Sequence, residues 1–76
     1  MKELLEIIAK ALVDYPDEVS VNEVEGDNGI ILELRVAQED MGKVIGKQGR
    51  IAKAIRSVVK AAAIKQNVRV SVEIVQ

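Results

Sequence analysis

The sequence predicts an α+β domain in the order α-β-β-α-α-β, a mixed three-stranded sheet with helices packed on one face. Three observations carry this prediction. Apolar residues recur at helical spacing over 2–14 and again over about 50–65. They alternate with polar residues over 30–37 and 68–75. A short helical stretch, cut by two close glycines, separates the second strand from the long helix.

In the first helix, Leu4, Leu5, Ile8, Ala11 and Leu12 form one stripe. Pro16 disfavours the helical conformation at Tyr15, so the helix is expected to stop there. Residues 19–25 alternate weakly and read as a strand. Glu25-Gly26-Asp27-Asn28-Gly29 then supplies turn chemistry, with Asn28-Gly29 able to take positive φ at little cost. Over 30–37, Ile30, Leu32, Leu34 and Val36 face one way, while Glu33 and Arg35 face the other. The two strands make an antiparallel hairpin.

Asp40 is the expected N-cap of a short helix that runs to about Ile45. The long helix over 50–65 is expected to turn Ile51, Ile55, Val58, Val59 and Ala62 inward. In the last strand, Val68, Val70, Val72 and Ile74 alternate with Arg69, Ser71 and Glu73. A right-handed helical crossover makes that strand parallel to the one before it.

Composition narrows the chemistry. Seventy-six residues fit one domain, 1–76, with a thin core. The chain has no cysteine and no histidine, which excludes disulfides, Cys/His zinc sites and His-based proton transfer. No cofactor or metal site is expected, and no constellation of carboxylate, Lys, Ser or Tyr suggests an enzyme. No apolar run approaches the roughly 20 residues of a membrane span. Glu3 and Glu6 interrupt the first apolar stretch, so it does not read as a signal peptide, and a cytoplasmic location is expected.

Net charge is only −1, but it is unevenly spread. Residues 1–38 carry three basic and nine acidic side chains; residues 39–76 carry eight and three. Such polarity presents a positive face to phosphate on a near-neutral chain.

The informative segment is Asp40-Met41-Gly42-Lys43-Val44-Ile45-Gly46-Lys47-Gln48-Gly49-Arg50-Ile51. Gly46 and Gly49, lacking Cβ atoms, permit close approach of a sugar-phosphate backbone. The following helix aims its N-terminal dipole at the same place. Lys47 and Arg50 add full charges, and Lys43, Lys53, Arg56 and Lys60 extend a basic margin. Neither middle residue of the loop is acidic, so phosphate is not repelled. The Gly-Lys-Ser/Thr ending of a nucleotide-binding P-loop is missing.

This segment, Val44 to Ile51 above all, resembles the signature of the KH domain, whose GXXG loop clamps about four nucleotides. The element order resembles the type II KH domain. Length and pattern across the chain resemble the small bacterial single-KH family, the KhpA-like proteins. The resemblance implies a non-catalytic protein that holds single-stranded RNA. Gly46, Lys47, Gln48 and Gly49 would be the clamp, and Ile45, Ile51 and Ile55 the apolar floor beneath the bases. It also implies an RNA chaperone or post-transcriptional regulator linked to cell elongation and division. Such proteins are expected to form homodimers, or heterodimers with a larger KH-containing protein.

Plainer readings stand beside these. The glycine loop also fits a simple helix–helix turn, and Lys53, Arg56 and Lys60 a solvated helix face. Gly42 inside a helix fits either close helix packing or approach to a ligand. Ala61-Ala62-Ala63-Ile64 fits a partner-covered surface or plain helix-forming composition. With one Tyr and no Phe or Trp, base stacking on exposed rings is ruled out. The alternative function is a protein-interaction adaptor that uses the same fold for dimerisation.

Overall fold

A computed structural model describes residues 1–75. The elements are α1 (Lys2–Leu12), β1 (Ser20–Gly26), β2 (Gly29–Arg35), α2 (Met41–Ile45), α3 (Arg50–Lys65) and β3 (Val70–Val75). Short 3-10 turns occupy Pro16–Glu18, Gln38–Asp40 and Lys47–Gly49. This is the expected order.

β2 lies in the middle of the sheet. It pairs antiparallel with β1, with Gly26 opposite Gly29 across a two-residue turn. It pairs parallel with β3, Leu32 beside Val72. Gly29 alone of the Asn28-Gly29 pair takes positive φ, at 129°. A Cβ there would lie 2.6 Å from the Arg69 carbonyl oxygen, and that carbonyl accepts from the Ile30 N–H at 2.9 Å.

Leu5, Leu32, Leu34, Val44 and Val59 are fully buried and join α1, the sheet, α2 and α3 in one core. The helix stripes sit one step from the expected ones. α3 buries Ala52, Ile55, Val59 and Ala63, while Val58 is 50% exposed and Ala62 only half-buried. α1 buries Leu5 and Ala9, and leaves Ala11 and Leu12 outside. Alanine at the centre of each stripe lets the helix backbone lie closer than leucine or valine would allow.

β2 ends at Arg35, not at 37, ahead of the 3-10 turn at Gln38–Asp40, and two other ends differ from expectation because their N–H groups are used elsewhere. α1 stops at Leu12, not Asp14, since the Asp14 and Tyr15 N–H groups donate to Asp40. β3 starts at Val70, not Val68. Asn67 takes φ 58°, and the Val68 N–H donates back to the Ala63 carbonyl at 3.0 Å, a Schellman closure of α3.

Candidate nucleic-acid interface

The loop at 46–49 joins two helices by reversing the backbone. α2 has five residues and ends at Gly46, φ 76° and ψ 174°, whose N–H donates to the Gly42 carbonyl at 2.9 Å. Gln48 (φ 59°) and Gly49 (φ 74°) are left-handed as well, and α3 begins at the next residue. A left-handed Gln is strained, and such strain concentrates at functional segments. Alternation of right- and left-handed residues makes concavities lined by backbone N–H groups, which suit anions.

The two glycines do different work. A Cβ on Gly46 would sit 2.5 Å from the Ile51 side chain, so Gly46 admits Ile51 against the loop. A Cβ on Gly49 would meet nothing within 4 Å, so this stretch of backbone is bare and open. Gly42, exposed on α2, is equally open, which removes close helix packing as its explanation.

Around the loop, Lys47 and Arg50 are exposed, and the Arg50 guanidinium donates to the Gln48 side chain at 3.3 Å. Ile45 and Ile51 are half-buried and form an aliphatic shelf continuous with the core. Ile55 is only 3% exposed and faces the sheet. Lys53 is exposed, with no ion pair among the described residues.

Lys43 and Arg56 are engaged within the protein. The Lys43 ammonium donates to Asp14 at 2.8 Å and lies 3.8 Å from Asp40. Its pKa is raised above the ordinary 10.5, chiefly by the Asp14 hydrogen bond and that carboxylate's charge. Arg56 Nε donates to the Val72 carbonyl at 3.2 Å, which covers part of the free edge of β3. Arg35 alternates with Leu34, so it projects from the sheet face that carries no helix.

Asp40 has a role the sequence reading missed. It sits at the N-cap position, but its side chain makes no cap bond. It is 0% exposed, and its two oxygens accept the Asp14 N–H at 3.1 Å and the Tyr15 N–H at 3.0 Å. A five-residue helix cannot hold itself in place. Asp40 therefore pins the start of α2, and through it the loop, to the segment after α1. No sequence signal reveals this, because the donors are main-chain groups 25 and 26 residues away.

Fold and loop together define the class as a KH domain, with its glycine turn between two helices over a mixed sheet. A family model described as KhpA/KhpB, KH domain, matches residues 2–74, and the chain belongs to that family. The family is one of binding modules, not enzymes. The chain is 75% identical over 75 residues to a protein of Clostridium acetobutylicum named RNA-binding protein KhpA, covering 99% of this chain and 100% of the relative. It is 68% identical over 75 residues to the protein of that name from Caldanaerobacter subterraneus subsp. tengcongensis, with 99% and 100% covered. Among solved structures, Era of Aquifex aeolicus bound to GDP and aluminium fluoride superposes with TM-score 0.64 at 21% identity. That match covers 96% of this chain and 28% of the Era chain, and at this identity it shows the fold alone.

Proposed function

We propose that this protein binds single-stranded RNA without catalysis, at the 46–49 loop. The observation that carries the reading is the open backbone at Gly49, flanked by exposed Lys47 and Arg50 at the start of α3. Phosphates sit on the bare loop, drawn by the helix dipole and the two cations. Ile45 and Ile51 offer an aliphatic surface to bases. The relatives' printed name supports the ligand class. Lys43 steadies the α1–β1 segment more than it contacts RNA, since its charge is matched by Asp14 and Asp40.

The wider role is that of a cytoplasmic RNA chaperone or post-transcriptional regulator, acting as a single KH unit that associates with itself or with a larger KH-containing protein. Exposed Val58 (50%) on α3 supplies apolar surface for such association. Sedimentation of the chain at micromolar concentration tests it, and a strict monomer with and without that partner rejects it.

The test of RNA binding is Lys47→Asp combined with Gln48→Asp. Affinity for short RNA should fall on the order of 100-fold, since each charge-assisted hydrogen bond lost is worth about 1.5–3 kcal/mol. Folding stability should stay within about 0.5 kcal/mol, as for other surface changes. Unchanged RNA affinity, with partner binding intact, would favour the adaptor role instead.

A further inference from the structure

We infer that the RNA path continues along α3 into a second subsite at the opposite end of the domain. This subsite is a groove between the last turns of α3, the β1–β2 turn and the start of β3. The inference rests on the RNA-binding reading of the loop and extends it by naming where the next nucleotides go.

Arg56 fixes which flank of α3 faces β3, because its guanidinium bonds the Val72 carbonyl. Lys53, Arg56, Lys60 and Ile64 follow at spacings of three and four residues, so they share that flank. α3 and β3 run in opposite senses. Arg56 is level with Val72, while Lys60 and Ile64 line the groove beside Val68 and Val70. A cationic line thus leads from Arg50 at the loop to Lys60, and ends at Arg69 across the groove.

The groove measures about 710 Å³, with Ile30, Ile64, Val68 and Val70 as an aliphatic lining. That is the size of an ordinary ligand site, roughly 300–1,000 Å³, and leaves room for a base with its ribose. Lys60 and Arg69 have no ion pair among the described residues. Asp27 is the acid on the rim, and the two cations outnumber it. Two unmatched cations over an aliphatic floor complement a polyanion that carries flat apolar groups. Continuity with the line from Arg50 favours the same RNA strand over a separate ligand. α3 is about 24 Å long by its sixteen residues, so a strand whose four clamped nucleotides stay at the loop needs further nucleotides to fill the groove.

The test compares oligouridylates of about four and about ten nucleotides, a choice set by the four-nucleotide clamp. Binding to the full chain is followed by fluorescence anisotropy and by amide shifts. The ten-mer should bind more tightly and shift Ile64 and Arg69; the four-mer should shift only the 46–49 loop. Lys60→Gln with Arg69→Gln should cut the ten-mer's advantage to the roughly sevenfold that its four-nucleotide registers supply, and leave four-mer affinity alone. The same pair should lower the ten-mer's salt slope by about 1.4, at about 0.7 per phosphate contact on a single strand. Asp27→Asn should strengthen the ten-mer only. A ten-mer advantage beyond about sevenfold that survives the double substitution overturns the inference. So do equal losses for both lengths, or signals at Ile64 and Val68 that broaden with protein concentration and ignore RNA, the mark of a second copy in the groove. If the four-mer never binds, the loop reading fails by itself, and the ten-mer's effect on Ile64 and Arg69 then decides the subsite separately.

Discussion

The chain contains two four-residue turns with glycine at each end, Gly26-Asp27-Asn28-Gly29 and Gly46-Lys47-Gln48-Gly49. The first joins two strands, and its second glycine is packed against a backbone carbonyl 2.6 Å from where a Cβ would stand. The second joins two helices, and its second glycine faces open space. The first carries an acid at its second position; the second carries a lysine and runs into the positive end of α3. Glycine spacing is therefore common to a structural turn and a binding loop. Charge, openness and the adjoining helix end separate them.

Alanine at the last glycine of each turn gives the sharpest contrast. Gly29→Ala meets the Arg69 backbone and an unfavourable φ of 129°, so it should cost roughly 2–4 kcal/mol and leave the loop chemistry intact in whatever folds. Urea denaturation measures it, and a near-neutral result would mean the hairpin end is not closed as described.

Asp40→Asn comes next. One of two main-chain donors would face an amide NH₂ in place of an acceptor, costing about 1–3 kcal/mol. Hydrogen exchange should speed up at α2 and the 46–49 loop before the sheet. Uniform loss of protection would remove the loop-anchoring role of Asp40.

Gly49→Ala is the smaller structural change, with no steric contact and about 1 kcal/mol for a left-handed alanine. The transition should drop by about 4–8 °C in a domain of this size. RNA affinity should nevertheless fall, because the new methyl occupies the bare backbone. Retained affinity would break the distinction between the two turns.

The smallest effect concerns Lys43. Its folded pKa is raised, so the stabilisation from the Asp14 pair is fully present below the unfolded value of 10.5 and fades as pH climbs past the higher folded one. The stability difference between wild type and Lys43→Met should be constant to about pH 10 and vanish only in stronger alkali. A difference that disappears near neutrality would contradict the assignment.

Much of the fold was legible because its signals are local. The alternation around Leu32 and Leu34, and the helical run over 50–65, fix element type through side-chain period alone. The loop was legible for the same reason, as glycines and cations lie within five consecutive residues. The inward faces were read less well. Hydrophobic size points to Val58 and Leu12, whereas close packing selected Ala52, Ala63 and Ala9. The margin of cations was legible as charge but not as contact, since Lys43 and Arg56 turned out to be bonded to Asp14 and Val72.

By itself, then, the sequence determined the order of helices and strands, the charge polarity and the glycine loop at 46–49. Only the tertiary structure decided that Asp40 is an anchor, that Gly46 is filled by Ile51 while Gly49 stays open, and which cations remain unmatched. The reason is distance along the chain. Periodicity and charge are properties of neighbours in sequence, but a buried carboxylate, a closed turn and an ion pair each depend on atoms more than twenty residues away, or on the bend that brings close ones together.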